Sequence, residues 1–292
     1  MIIYILTVCS FLLGMGTYEI LHFPQDTRSL SLHNSASAYD YSLLRNNPAA
    51  LSLAIEKITY SSIILPAGIH FSEIQHIHKM GLGIFAEKLS YITYGTIMDS
   101  ETKKKTTAYD MLLEIGYKKE FENIVSVGIS GGCMFSAIAD YYSQLVYTNI
   151  GIRSRMMRKR IGLGFSLENL GFLLTPYTNV KEYIPSIFRS AIYYKPKYLP
   201  AIISVDIIQN LDRDATELLG GLEFNPGKQL TFRFGCSTHR KGFLADDFSY
   251  DLLADLSGGV GLQFNKMNLD VGFMNLGAVG YVVGFSISRK VD

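Results

Sequence analysis

Three histidines that lie close together in the sequence are the residues best suited to bind a metal. The stretch "HFSEIQHIH" contains His70, His76 and His78. His76 and His78 are two residues apart, so they share one face if this stretch is a strand, and imidazole is a common metal ligand. No carboxylate or cysteine accompanies them at a matching spacing. The pattern therefore favours a polar turn over a metal site.

Two other kinds of motif suggest chemistry that the surrounding sequence does not support. The tripeptide "GLG" occurs at Gly81–Gly83 and Gly162–Gly164, as in phosphate-binding loops, but neither copy precedes a predicted helix. Asp246 and Asp247 in "LADDF" could contact calcium, but the remaining oxygen ligands that calcium needs are missing. We therefore predict that the chain is not an enzyme and that it uses no metal or cofactor.

Charged residues at alternating positions of strand-like segments indicate a polar interior. In "TAYDMLLEIGYKK", Asp110 and Glu114 share a face, and the opposite face carries Tyr, Met, Leu and Ile side chains. Charges away from water persist only when paired, so we expect Arg233 to pair with acids on neighbouring strands such as Glu223. Such pairs predict internal struts, with a polar path for a ligand as the alternative. The charges predicted to face inward are Asp110, Glu114, Glu168, Asp206, Glu223, Arg233 and Asp270.

The elements that position these charges are β-strands, because apolar residues recur with a period of two along most of the chain. Phe232 and Phe234 in "QLTFRFGC" and Val271 and Phe273 in "MNLDVGF" show this alternation. Marking every such segment predicts about fourteen strands. They begin near residues 55, 69, 80, 107, 123, 142, 159, 186, 200, 216, 228, 252, 266 and 278.

The spacers between the predicted strands alternate in length. Polar turns such as His76–Lys79 are short, whereas Phe135–Tyr141, Gly171–Pro185 and Ser237–Tyr250 are predicted to be long loops. Short turns at one end and long loops at the other are typical of outer-membrane barrels. An even number of strands places both chain ends at the short-turn end, which faces the periplasm.

The composition agrees with a protein that lies in a membrane. Only 18% of the 292 residues are charged, below the roughly 25% of soluble domains. A formal net charge of +1 argues against nucleic-acid binding, which usually requires a basic face. In hydrocarbon every backbone amide needs a partner, so strands must close into a barrel. We therefore predict an all-β fold: a transmembrane antiparallel β-barrel of about fourteen strands, surrounded by a lipid bilayer.

Two other structures compete with the barrel. A soluble β-sandwich or β-solenoid would also alternate, but its polar faces should be richly charged, and many inward positions here are Gly or Ser. Residues 271–288 carry no charge and contain Gly280 and Gly284 in the GxxxG spacing of membrane helices. Four Gly, two Ser and Asn275 in this segment make a poor helix. Two strands joined by a tight turn fit better.

The N-terminus contains two segments ahead of the predicted barrel, which spans residues 55–292. Residues 1–16 are apolar and end in the small residues that a signal peptidase needs, so they predict a secretory signal. Residues 17–54 are predicted to form a hatch, in which Pro48 begins a short helix and Asn47 caps it. We expect this hatch to fold into the barrel with Arg28 paired to acids in the lumen. A periplasmic tail is the alternative.

Several short motifs resemble the PorV/PorQ family of outer-membrane proteins in their order along the chain. The N-terminal segment is similar to the family's opening, although His33 and Asn34 stand where many relatives have Gly-Gly. The pattern is closer to PorQ than to PorV. The residues that carry the resemblance are Arg28, Asn47, Pro48, Ala49, Leu51, Tyr94, Gly95, Asp99, Ser136, Asp140, Tyr141, Ser143, Gly151, Asn169–Gly171 and Asn275–Gly277.

The resemblance implies a FadL-like fourteen-stranded barrel with a non-enzymatic role in type IX secretion at the bacterial outer membrane. Such a barrel anchors or hands over secreted cargo, or holds partners of the surface attachment machinery. Its long loops would bind those partners. The alternatives are a FadL-like passive transporter of hydrophobic small molecules and a soluble lectin or adhesin. The loop residues assigned to partner binding are Tyr177, Tyr183, Phe243, Asp246 and Asp247.

Overall fold

The chain folds into a closed antiparallel barrel of fourteen strands, each paired with its sequence neighbours. Strands β1 and β14 close the barrel, with Ser61 opposite Ser286. This architecture confirms the predicted fold class and strand number. The computed structural model describes residues 18–39, 44–52, 57–98, 105–178, 182–212, 215–227, 229–238 and 254–291. The predicted signal, residues 1–16, and the loop residues Phe243, Asp246 and Asp247 lie outside these ranges.

The strands begin within a few residues of their predicted positions. Their bounds are β1 Lys57–Leu65, β2 Ile69–Met80, β3 Gly83–Met98, β4 Lys105–Phe121, β5 Val125–Ile138, β6 Tyr141–Met156, β7 Ile161–Thr175, β8 Ile187–Tyr194, β9 Ala201–Asn210, β10 Ala215–Phe224, β11 Leu230–Ser237, β12 Leu256–Phe264, β13 Met267–Asn275 and β14 Tyr281–Lys290. The segment for which a membrane helix was the alternative forms β13 and β14. In the described part of the chain, no helix has the length and apolar character to span a membrane.

Side chains alternate between the two faces of the wall because successive residues of a strand point in opposite directions. In β4, Asp110, Leu112 and Glu114 are buried in the lumen, and Met111 and Leu113 are exposed on the outside. The outer face is therefore apolar, and the inner face mixes charged and apolar residues. This is the arrangement that a barrel in lipid requires.

A row of aromatic rings crosses the outer face near the long-loop ends of β3 to β6. The ring centroids of Tyr91 and Tyr109 are 6.0 Å apart, and those of Tyr109 and Phe135 are 6.2 Å apart. Phe135 stacks on Tyr142 with a centroid distance of 6.1 Å. Aromatic girdles of this kind mark the membrane interface of outer-membrane barrels.

Two predicted connections differ from the structure. His76–Lys79 was expected to form a turn but lies within β2, and the chain reverses at Gly81 and Leu82 instead. Phe135–Tyr141 was expected to be a long loop, but β5 and β6 extend so far that only Ala139 and Asp140 separate them. Polar and small residues occur both at strand ends and in turns. A strand end that contains them therefore resembles a loop in sequence.

The N-terminal segment lies inside the barrel, and its described residues, 18–39 and 44–52, are here called the plug. Its helix α1, Thr27–Ser31, is capped by Asp26, whose carboxylate accepts a hydrogen bond from the Ser29 amide. A 3-10 turn, Pro48–Ala50, follows Asn47, whose Oδ1 atom accepts a hydrogen bond of 3.0 Å from the Ala49 amide. Both elements are buried against the inner wall. The lumen is therefore filled by the chain's own N-terminal segment.

Candidate functional site

The 3-10 turn of the plug sits on glycines of the inner wall. A Cβ atom on Gly128 would lie 2.3 Å from the Pro48 carbonyl carbon, and one on Gly151 would lie 2.1 Å from Asn47 Oδ1. A side chain at either position would therefore collide with the plug. Glycine in a strand interior often marks a close approach of another backbone, and here that backbone belongs to the plug.

Helix α1 occupies a second glycine patch, on strands β12 to β14. A Cβ atom on Gly259 or Gly272 would lie 2.0 or 2.3 Å from Ser31 Oγ. Small polar contacts surround the patch: the Ser286 hydroxyl donates to Thr27 Oγ1 over 2.6 Å, and Ser257 Oγ donates to the Ser31 carbonyl over 3.1 Å. Helix and wall therefore fit together at backbone distance, which requires a wall without side chains at these positions.

Arg28 connects α1 to a cluster of predicted lumen charges. Its Nε atom lies 2.7 Å from Glu223 Oε2. Arg233 Nε lies 2.8 Å from the same oxygen, and Arg233 Nη1 lies 2.5 Å from Asp270 Oδ1. The structure thus brings Arg28, Glu223, Arg233 and Asp270 together, in alternating sign. Each charge in the cluster has an opposite charge beside it, as low-dielectric surroundings demand.

Arg45 connects the second half of the plug to Glu114. The contact is bidentate: Nε donates to Oε1 over 3.1 Å and Nη2 donates to Oε2 over 2.7 Å. Lys88 Nζ lies 2.6 Å from Glu114 Oε2 and also contacts Gln25 of the plug. Burial by itself lowers the pKa of Arg45, but the Glu114 carboxylate outweighs it, so the pKa is raised. Glu114 therefore joins a plug cation to a wall cation.

Arg189 forms a third cluster with two inward acids. Its Nε atom lies 2.7 Å from Glu168 Oε1, and its Nη1 atom lies 3.3 Å from Asp206 Oδ2. Arg189 also donates to the Asn34 carbonyl over 3.1 Å, and Asp206 accepts a 3.0 Å hydrogen bond from the Ala36 amide. Wall charges here bind the plug through its backbone.

The backbone held by this third cluster has an unusual conformation. His33, Asn34 and Ala36 have φ angles of 54°, 57° and 70°, in the left-handed region that glycine adopts most readily. His33 Nε2 lies 3.2 Å from Asp255 Oδ1. Side-chain and backbone contacts therefore support a strained turn that glycine would form without strain.

An apolar layer fills the lumen at the long-loop end. The plug inserts Tyr18 and Leu21 into it, with Ile20 and Phe23 packed alongside. Apart from tyrosine hydroxyls, the side chains of this layer are apolar. The Arg45 guanidinium borders the layer and donates to the Ile20 and Leu21 carbonyls. The inward wall residues of the layer are Ile63, Ile69, Phe71, Ile92, Leu112, Met134, Leu145, Tyr147, Met274 and Val282.

Tyrosine hydroxyl groups lie at the boundary of this apolar layer that is nearest the long loops. Tyr18 donates to Glu182 Oε2 over 2.5 Å. Tyr94 donates to Asp110 Oδ2 over 2.6 Å, which leaves Asp110 apart from the three arginine clusters. Tyr177, predicted to bind partners, points its hydroxyl at Ser136 of the wall, and burial raises its pKa to about 12. Of the predicted loop residues that are described, Tyr183 is the exposed one.

The charges predicted to face inward did not include Arg45, Lys88 or Arg189. Lys88 and Arg189 occupy inward positions of period-two segments, so the same alternation that identified Asp110 could have identified them. Arg45 lies in the segment predicted to enter the barrel, and its charge in a buried segment was the available indication.

Comparisons with known proteins agree with the fold. No protein-family model matches the sequence, and no curated protein matches it. The Ralstonia pickettii toluene transporter TbuX superposes with a TM-score of 0.65 at 10% identity, covering 91% of this chain and 98% of TbuX. The Pseudomonas putida toluene transporter TodX gives 0.60 at 10% identity, covering 91% and 98%. A Pseudomonas aeruginosa FadL homologue gives 0.54 at 12% identity, covering 91% and 98%.

These similarities establish the fold. The chain has a FadL-like fourteen-stranded barrel of the outer-membrane type, and the fold that the resemblance implied is therefore confirmed. The assignment to the PorV/PorQ family stays a prediction.

Proposed function

We propose that this protein is a passive outer-membrane channel for hydrophobic small molecules that its plug keeps closed. The apolar layer at the long-loop end is the observation that carries the proposal. An apolar solute that leaves water for such surroundings gains roughly 25 cal/mol per Å² of surface removed from water. Pockets for small molecules are typically apolar with a few polar groups, and here the hydroxyls of Tyr18 and Tyr94 supply these.

In this proposal the plug is the gate. Tyr18 and Leu21 occupy the apolar layer, so a solute that enters it must displace them. The ion pairs of Arg28 and Arg45 hold the remainder of the plug against the wall. TbuX and TodX are both described as toluene transporters, and the shared barrel fold is compatible with a similar class of solute.

Uptake into cells tests this function directly. The chain is produced in a host bacterium that lacks its own outer-membrane barrel for hydrophobic compounds, and the entry of a radiolabelled apolar solute is measured. We expect faster entry with the wild-type chain and a large loss with Met134→Trp, which fills the apolar layer. Phe135→Trp, on the outer face of the same strand, is the matched control. Equal uptake with and without the barrel would contradict the proposal.

A role in type IX secretion is the second candidate function, in line with the motifs that resemble PorV/PorQ proteins. The plug favours it, because a barrel closed by several buried ion pairs can serve as an anchor without conducting anything. The partner-binding surface would then include Tyr183, which is 59% exposed on the long-loop side. The partners would be secreted cargo or proteins of the attachment machinery.

Site-specific cross-linking in the native bacterium tests this second function. A photo-reactive amino acid replaces Tyr183, and Tyr198, exposed at the opposite end of the barrel, is the control position. We expect secretion or attachment proteins to be captured from position 183 and not from position 198. Capture from neither position, together with solute uptake, would reject this candidate in favour of the channel.

A further inference from the structure

His76, His78 and Glu87 meet on the outer wall of the barrel. His76 of β2 lies directly opposite Glu87 of β3, and His76 Nδ1 is 3.0 Å from Glu87 Oε1. The rings of His76 and His78 stack with centroids 4.8 Å apart. The sequence was expected to lack a carboxylate at a suitable position. The structure corrects this expectation, because strand pairing brings Glu87 from nine residues beyond His78.

The hydrogen bonds of this cluster are incomplete. His78 Nδ1 and Glu87 Oε2 are both shielded from solvent, and neither has a hydrogen-bond partner. These two atoms lie 3.8 Å apart, and one ligand atom from each of the three residues lies within 4.8 Å of the others. Ligand atoms of a tetrahedral Zn²⁺ site lie roughly 3.3–3.6 Å from one another. A small movement of flexible side chains would therefore complete such a site.

The surroundings make an uncompensated carboxylate costly. Among the strand residues that the structure describes, Glu87 is the one carboxylate at an outward position. Ile58 lies opposite His76 on β1, and Ile115 lies opposite Glu87 on β4. Both isoleucines are exposed on the outer face. A charge on the lipid-facing side of a barrel destabilises it unless a partner compensates the charge.

We propose that His76, His78 and Glu87 bind one Zn²⁺ ion, or a similar divalent transition-metal ion, on the outer wall. Two neutral imidazoles and one carboxylate are a ligand set that Zn²⁺ commonly accepts, with a water molecule in the fourth position. The ion gives His78 Nδ1 and Glu87 Oε2 a common partner. It also joins β2 to β3 near their short turn, at the periplasmic end. This site is independent of the channel and of the secretion role.

Zinc binding by the complete, untagged barrel in detergent tests the site. The protein is titrated with Zn²⁺ in competition with a fluorescent zinc indicator. We expect one equivalent to bind and His76→Ala or His78→Ala to abolish it. The loss should be at least the roughly 10- to 100-fold that follows removal of an outer-shell partner alone. Glu87→Gln should weaken binding less than either histidine variant, because its amide oxygen can still coordinate the ion.

His70→Ala is the matched control, because His70 lies on the same outer face of β2 but outside the cluster. It should bind zinc like the wild type. Folding of every variant is checked by the faster electrophoretic migration of the unheated barrel. If a histidine variant does not fold, Glu87→Gln and Glu87→Ala carry the test. A wild type without stoichiometric zinc binding, or folded variants that bind as tightly as the wild type, would overturn the proposal.

Discussion

Two arginines of the plug, Arg45 and Arg28, pair with wall carboxylates in surroundings that differ. The side chains of Arg45 and Glu114 are each 1% exposed, whereas those of Arg28 and Glu223 are 16% and 9% exposed. Both carboxylates also contact a wall cation, Lys88 in the first case and Arg233 in the second. The same type of ion pair is therefore present at two different degrees of burial.

If the plug leaves the wall, as the proposed channel requires, this difference predicts which part of it detaches first. Water can reach Arg28 without a large rearrangement and replace its ion pair, because part of its guanidinium is already exposed. Arg45 has no such route, so breaking its contact leaves charge in dry surroundings, which is the more costly event. We expect α1 to detach before the segment around Arg45.

Removing the deeper arginine should have the largest effect. Arg45→Met leaves Glu114 with Lys88 alone, and we expect it to lower the free energy of unfolding by about 3–5 kcal/mol. Urea titration of the barrel in lipid vesicles measures this. Adding Glu114→Gln to the Arg45→Met variant should lower the free energy of unfolding by much less than Glu114→Gln lowers it in the wild type, because the two residues act as a pair. Full additivity of the two changes would argue against the pair.

A side chain on the inner wall should displace the 3-10 turn next. Gly151→Val places a Cβ atom 2.1 Å from the position of Asn47 Oδ1, and overpacking of this kind costs about 1–3 kcal/mol. Trypsin cleavage after Arg45 should become roughly tenfold faster or more. Gly131→Val is the control, because a Cβ atom there makes only an ordinary contact of 3.5 Å with the Tyr147 carbonyl. Equal cleavage of both variants would contradict the fit of plug to wall.

Removing the shallower arginine should have a smaller effect than removing Arg45. Arg28→Met leaves Glu223 paired with Arg233, so we expect a loss of about 1–2 kcal/mol in the same urea titration. Proteolysis of the region around α1 should accelerate while cleavage after Arg45 stays slow. If Arg28→Met destabilised the protein more than Arg45→Met, the proposed order of release would be reversed.

Loss of the cap on the 3-10 turn should have the smallest effect. Asn47→Ala removes the acceptor for the Ala49 amide, at a cost of about 1 kcal/mol or less. Asn47→Asp, which retains an acceptor oxygen, should recover most of this loss. Thermal unfolding of the two variants side by side measures the difference, and identical melting temperatures would exclude a capping role.

The outer wall was the most predictable part of the molecule. Period-two alternation predicted that Met111 and Leu113 face outward and that Asp110 and Glu114 face inward, and the structure has them so. The prediction succeeds because successive residues of a strand point to opposite faces. The same alternation placed Tyr109 on the outer face, whereas its ring contacts with other strands depend on register. Strand ends were less predictable, as Phe135–Tyr141 shows, because the ends of strands and their turns accept the same polar residues.

The contacts within the candidate sites could not be predicted from sequence alternation. Nothing in the local sequence relates Glu87 to His76, or Arg45 to Glu114, because each pair depends on which strand or segment becomes a spatial neighbour and in what register. The structure shows what crowds Gly128 and Gly151, namely the plug itself.

Hydrophobic alternation and turn spacing were enough to predict a fourteen-stranded antiparallel barrel with an apolar outside, because lipid and backbone hydrogen bonding convert these local properties into one closed architecture. The folded barrel was needed to learn which charges meet, how the plug sits on the glycines, and that a carboxylate joins two histidines on the outer wall. Those contacts depend on barrel closure and strand register, which set distances between residues that are far apart in the chain.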